Sequence, residues 1–418
     1  MKTRKTISLP GQRDLDISSI LPLVNRQEFQ RLRGLKQLGP SFVFIGSNHT
    51  RFDHSLYAYS FTKERVDRWQ EDGSITQVQG RTLELYALLH DIGHSAYSHA
   101  IERLCAQDHN EYGLSLLHHL NMEIRVCGGN MQLLVDLMSR RNPLHACVSD
   151  RPLGTDKIAY LVLDSRNTTE QLGIRTGALL NHVSFSGTGL AINPSIAPQT
   201  LALQRAYVDM YIDVYCRKAC LIAQAFLEQI VDRAIRHAIV RPDQLQQMDD
   251  SQLDAILTSP QDAIIQAWFQ NFKTRNMPKS AIEIRPLGVD PLLRKNGKPV
   301  HVYGVPPEQF DALPQLEKPS ITRMWEGKIA EALNIPDHMV LIVPPVPSKR
   351  FLPDDVAIVD GPTLRGTLHE KRPKHYEALI ESVTAATALR ICVPAQHREK
   401  VSQQKTAQRI ISLLLSES

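Results

Sequence analysis

The stretch LYALLHDIGHSAYSH (85–99) sets His90, Asp91, His94 and His99 inside ten residues of an otherwise apolar run. Charged and titratable groups are rarely placed in such a run without a task. On a helix, His90 and His94 stand four apart and share a face, with Asp91 and His94 three apart. His90 and Asp91 are then about 100° apart on the wheel, so both can lean toward one point. Imidazole nitrogen with carboxylate oxygen suits a divalent transition metal or Mg²⁺. Two ligands do not make a site, and the candidates for the others are His54, in NHTRFDHS (48–55), and Asp156, in GTDKIAYLVLD (154–164). Each opens an expected helix beside charged groups. The chain has no Gly-x4-Gly-Lys-Ser/Thr phosphate loop, no Gly-x-Ser-x-Gly elbow and no dinucleotide fingerprint.

The elements that must hold these residues divide at the prolines. Nine of the 25 prolines precede Pro278, and sixteen lie from Pro278 onward. Before it, 83–94, 111–122 and 130–140 space apolar residues three and four apart, the period of a buried helix face. The proline-free stretch 200–240 reads as one long helix or two, and 173–198 as an excursion into strand or loop. From about 280, short β-branched runs at 300–305, 339–343, 356–359 and 389–393 alternate with helical stretches at 321–334, 374–388 and 396–415. The expectation is a helical unit over 1–275 and an α+β accessory unit over 276–418, its sheet covered by helices on one face.

At 418 residues, 42% hydrophobic and 22% charged, the chain has the composition of a globular protein with a sizeable core, not of a disordered tail or a disulfide-stapled miniprotein. It shows no apolar run long enough for a membrane helix and no secretory signal. Six scattered cysteines without a Cys-x-x-Cys pair fit reduced thiols in the cytoplasm. The net charge of +4 does not call for a nucleic-acid partner. Residues 271–300 are locally basic, with seven Lys or Arg (Arg294, Lys295 and Lys298 among them) against Glu283 and Asp290. That stretch reads as a solvated linker or as an anion-binding patch.

RFDHS, HDIGHSAYSH and TDKIAY, in this order, resemble the spaced elements of the HD-domain metal phosphohydrolases. EFQRLRGLKQLG (28–39) and YVDMYIDVYCRK (207–218) bring the resemblance closest to the deoxynucleoside triphosphate triphosphohydrolase branch, over about residues 5–235. It implies a mainly α fold, a helical HD-domain phosphohydrolase core followed here by the α+β accessory domain. The implied metal ligands are His54, His90, Asp91 and Asp156, holding Mn²⁺, Mg²⁺, Fe²⁺ or Co²⁺. The implied catalytic residues are His94 and His109, with Glu102 where the family has an aspartate. Phosphate contacts fall on Arg51, His99, Lys157 and Tyr160, sugar contacts on Gln37 and Asp164, and a base-side tyrosine on Tyr215. The resemblance further implies a dNTP substrate, a nucleotide activator, a homo-oligomer, and a role in dNTP pool control or antiviral defence.

Read as residues alone, several of these positions have plain structural alternatives. Gln37 and Arg51 are also ordinary surface polar residues, Tyr215 a core aromatic, Glu102 a solvated helix residue and His109 the neighbour of a helix cap. The chain also departs from the family pattern, with a shortened lead-in (PGQRDLDISS) and Arg217 in place of a histidine. Rival readings are a phosphodiesterase or 5′-nucleotidase of the wider superfamily, and a nucleotide-sensing or nucleic-acid-binding regulator.

Overall fold

The apolar spacing of the first 275 residues becomes a stack of helices. The computed structural model describes residues 4–169, 172–187, 189–259, 261–287, 299–311, 313, 316, 318–347 and 350–416. Among them, the helices of nine residues or more are α1 (Arg51–Glu71), α2 (Gln77–Leu89), α3 (His109–His119), α4 (Thr155–Thr168), α5 (Ala197–Met210), α6 (Lys218–Arg236), α7 (Asp250–Thr258), α8 (Ala263–Lys273), α9 (Pro319–Leu333), α10 (Pro373–Ala386) and α11 (Gln404–Ser416). The fold is mainly α, with sheets concentrated toward the C-terminus. No helix among the described residues is long and apolar enough to cross a membrane.

One helical expectation needs correction. The α2 helix stops at Leu89 rather than running to His94. His90 closes its last turn, donating its N–H to Tyr86 O at 2.9 Å, and Asp91, Ile92 and Gly93 form a turn. The helix stops because α3 packs against that turn. A Cβ on Gly93 would lie 2.0 Å from His109 O and 2.5 Å from Gly113 N. The 200–240 stretch is two helices, α5 and α6, joined by a wide π turn at Tyr211–Tyr215.

Ten strands are described: β1 (Thr6–Ile7), β2 (Leu15–Asp16), β3 (Val183–Phe185), β4 (Leu190–Ile192), β5 (Lys279–Pro286), β6 (His301–Val305), β7 (Leu341–Val343), β8 (Ala357–Asp360), β9 (Thr363–Thr367) and β10 (Leu389–Val393). β1 pairs β2, and the others form two four-stranded sheets, β6-β5-β10-β7 and β3-β4-β8-β9. In the first, β10 runs antiparallel to both β5 and β7, with Ile391 opposite Ile282 and Ile342. These isoleucines pack on Ile329, Leu333, Ile410 and Ile411 of α9 and α11. The other face lays Leu341, Val343 and Cys392 on Phe226, Leu227 and Ile230 of α6. Helices therefore cover both faces, because the sheet is the seam against the helical half. In the second sheet β8 lies parallel to β4, so Val356 and Ile358 join the N-terminal core.

Besides the short β1 and β2, two strands of the C-terminal part were not visible in the sequence. β5 carries Glu283 and Arg285 at fully buried positions, and they neutralise each other at 2.7 Å. β9 is short and exposed. In the basic stretch, Lys273 pairs with Asp254 and Arg285 with Glu283, while Asp290, Arg294, Lys295 and Lys298 lie outside the described residues.

Candidate metal centre and its surroundings

Three helix ends meet at one point. Thr50 caps α1 reciprocally with Asp53: the Thr50 side chain accepts from Asp53 N–H, and the Asp53 carboxylate accepts from Thr50 N–H at 2.8 Å. That cap fixes Arg51 and His54 in the first turn. His90 and Asp91 leave the C-terminus of α2, and Asp156 sits in the first turn of α4, where the helix dipole favours a carboxylate.

His54 Nε2 lies 3.3 Å from His90 Nε2, 3.1 Å from Asp156 Oδ1 and 3.5 Å from Asp91 Oδ2. His90 Nε2 is 3.3 Å from both Asp91 Oδ1 and Asp156 Oδ1. His90 Nδ1 stands 2.8 Å from Ala87 O, which only accepts, so Nδ1 carries a proton and Nε2, facing His54 and the two carboxylates, is the nitrogen that would meet a cation. His54, Asp91 and Asp156 are buried and His90 nearly so. Two imidazole nitrogens and two carboxylates converging at this depth are the donor set of a divalent cation, and the residues fit one. Burial opposes charge on both carboxyls. Arg51 with the three histidines holds Asp91 well below the usual carboxylate range, and Lys157 with His54 and His90 does so for Asp156. Burial likewise opposes a charge on His90, but Asp91 and Asp156 outweigh it and raise its pKa to about 9.

Beside this group lie three more histidines. His94 stacks on His109 with ring centroids 4.1 Å apart, and His94 Nε2 is 3.5 Å from His99 Nε2. One carboxylate organises the outer two. Glu102 accepts from His99 Nδ1 at 2.7 Å, from His109 Nδ1, and from His109 N–H at 3.1 Å. Glu102 is thus engaged rather than solvated. Asp108 caps α3, so His109 is a cap neighbour and a member of the cluster at once.

Two fixed cations flank the centre, Arg51 donating to Asp91 Oδ2 at 2.5 Å and Lys157 to Asp156 Oδ2 at 2.8 Å. Arg51 and Gln37 are buried, which removes the surface reading of both. Tyr160 rings sit 6.5 Å from His54 and 5.9 Å from Tyr215. Tyr215, on the π turn, donates to Asp164 Oδ2 at 2.7 Å. Gln37 Oε1 and Tyr160 OH are buried without a hydrogen-bond partner, an arrangement that leaves polar capacity for a ligand.

Three participants escaped the sequence reading. His49 donates Nε2–H to Asp164 Oδ1 at 2.7 Å, and its carbonyl accepts Gln37 N–H at 3.0 Å, tying the two expected sugar contacts together. Its place two residues before Arg51 was the available signal. Ser98 Oγ accepts from Arg51 Nε at 3.0 Å, and Asp250 accepts from Tyr97 N–H at 2.7 Å. Tyr97 and Ser98 both have φ of 55°, a left-handed pair that no motif announces.

Residues 51–144 match the HD domain model, and residues 176–295 match the HD associated region. The chain thus carries an HD domain followed by an HD associated region. Among relatives of this HD-domain protein, an uncharacterized protein of Methanocaldococcus jannaschii is 27% identical over 278 residues, 65% of this chain and 58% of that protein. A deoxynucleoside triphosphate triphosphohydrolase SAMHD1 homolog of Dictyostelium discoideum is 35% identical over 111 residues, 26% of this chain and 21% of that protein. The chain thus spans less than two thirds of either relative. The crystal structure of a phosphohydrolase from Bacteroides thetaiotaomicron shares the fold, with a TM-score of 0.71 at 20% identity, covering 94% of this chain and 100% of that one. The chain therefore has an HD-domain phosphohydrolase fold.

Proposed function

We propose that this HD-domain protein is a metal-dependent triphosphohydrolase that cleaves a dNTP to deoxynucleoside and inorganic triphosphate. The observation that carries the reading is the pair of fixed cations, Arg51 and Lys157, set on either side of a buried His₂Asp₂ cluster. A triphosphate carries about four negative charges, and guanidinium and ammonium groups offset them on approach.

His54, His90, Asp91 and Asp156 would hold the cation, which when bound supplies Lewis acidity at the α-phosphate and a more acidic water. Water adds its oxygen to the α-phosphorus as the bond to the nucleoside 5′-oxygen breaks. His109, steadied by Glu102, or His94, stacked on it, gives the proton that the leaving oxygen needs. Gln37 and Asp164 hydrogen-bond the 3′-hydroxyl, with His49 bridging them, His99 and Tyr160 contact phosphate, and Tyr215 stands on the base side. In this reading residues 1–275 form the catalytic unit and 276–418 an accessory one. The protein works as a homo-oligomer under nucleotide activation, in dNTP pool control or anti-phage defence.

The test is incubation with each of the four dNTPs and Mn²⁺ or Mg²⁺, with and without added nucleotides, beside Asp91→Ala. Deoxynucleoside plus intact triphosphate, absent with the variant, is the expected result. A nucleoside monophosphate, or cleavage only of phosphodiesters or 5′-nucleotides, would replace the reading with its superfamily rivals.

A further inference from the structure

We propose that His94, His99 and His109 form a second cation site, distinct from the His₂Asp₂ centre, that takes borderline divalent ions such as Zn²⁺ or Co²⁺ through three imidazole nitrogens. His99 Nδ1 and His109 Nδ1 both donate to the Glu102 carboxylate, and His94 Nδ1 faces the Asp91 carbonyl at 3.3 Å. Carboxylate and carbonyl oxygens only accept, so all three rings carry their proton on Nδ1 and leave Nε2 bare. Bare nitrogens repel one another, yet His94 Nε2 and His99 Nε2 stand 3.5 Å apart, and one ligand nitrogen from each of the three rings lies within 4.8 Å of the others. Tetrahedral coordination at a Zn–N distance of about 2.0–2.1 Å sets nitrogens about 3.3 Å apart, so His109 completes the triad by turning off its stack on His94 and closing toward the other two rings.

The surroundings fit the same reading. A carboxylate on the far nitrogen of a ligating histidine fixes the ring and raises its basicity, and Glu102 does this for two rings at once. His94 is buried while His99 is exposed, so the cluster opens to solvent on one side and leaves a fourth position for water. An all-nitrogen donor set discriminates against Mg²⁺, which prefers oxygen, whereas the mixed set of the first centre does not. A cation here would occupy the imidazoles that the proposed hydrolysis needs for its proton, so filling this site opposes turnover, a consequence that rests on that reading.

Full-length protein freed of metal by chelation and titrated with Co²⁺, followed by its visible absorption, tests the binding without substrate. Two equivalents are expected in the wild type. Asp156→Ala should lose one, and His99→Ala the other, the latter at an exposed position. Glu102→Gln, which keeps every ligand, should weaken the second equivalent about 10–100-fold. Saturation at one equivalent that Asp156→Ala removes would overturn the proposal. So would a second equivalent that survives in both His99→Ala and His109→Ala. Because no nucleotide enters the titration, its outcome is independent of whether dNTPs are the substrate.

Discussion

Glu102 accepts three hydrogen bonds, two of them from imidazoles, and this concentration of donors sets its character. Burial alone would push its carboxyl up, but His109 and His99 hold it well below the usual range, so it stays an acceptor at any working pH. If it positions His109 as proton donor, Glu102→Gln should lower kcat about 10²- to 10⁴-fold with KM little changed, and Glu102→Asp should restore much of the loss. Steady-state kinetics on the three proteins checks this. Equal kcat in wild type and Glu102→Gln would remove the role. At this scale the chemistry was legible in part. His90, Asp91 and His94 announce themselves as adjacent polar groups in an apolar run. His54 and Asp156 could be named as candidates from their charged neighbours, but that they meet His90 and Asp91 at one point depends on helix packing, which local spacing does not record. His49 was hidden because a lone histidine has no periodicity to betray its partner.

The elements show how little room the site allows. The turn after α2 exists because Gly93 lets the first carbonyl of α3 approach it, and a methyl there would lie 2.0 Å from His109 O. Gly93→Ala should cost about 1–3 kcal/mol of stability, measurable as a lower urea midpoint, by overpacking a backbone contact. An unchanged midpoint would contradict the tight contact. The same turn explains the misread helix end, since apolar spacing marks a helix's buried face but not the residue where tertiary packing stops it. Most helices and the strands at 301–305, 341–343, 357–360 and 389–393 followed from local pattern. β5 did not, because its buried Glu283 and Arg285 read as polar and are stabilised by each other and by partners distant in sequence, Lys218 beside Glu283 and the Ala385 carbonyl beside Arg285.

Across the whole molecule, the helical half and the C-terminal sheet meet along α6, α9 and β7. Glu326 sits buried in that seam, accepting from Ile342 N–H at 3.0 Å and from Gln229 Nε2 at 3.3 Å, with Glu228 and Asp232 nearby. Burial first, then the neighbouring carboxylates, raise its pKa to about 8 from an ordinary 4.5. The folded chain therefore keeps a proton that the unfolded chain has released. This contribution to stability is full below about pH 4.5 and is lost as pH rises through about 8. Glu326→Gln, which stays neutral, should flatten the fall of Tm over that window, and identical slopes in both proteins would refute the assignment. The pairing of β8 with β4 and the burial of both faces of the first sheet were not legible in the sequence, because non-local contacts leave no trace in local spacing.

The claim that joins these scales is that water attacks the α-phosphorus and expels the nucleoside. Hydrolysis of a dNTP in ¹⁸O-labelled water, with both products analysed by mass spectrometry, tests it most directly. One ¹⁸O atom is expected in the inorganic triphosphate and none in the deoxynucleoside. Label in the deoxynucleoside, or its appearance in a nucleoside monophosphate or in pyrophosphate in place of triphosphate, would contradict it.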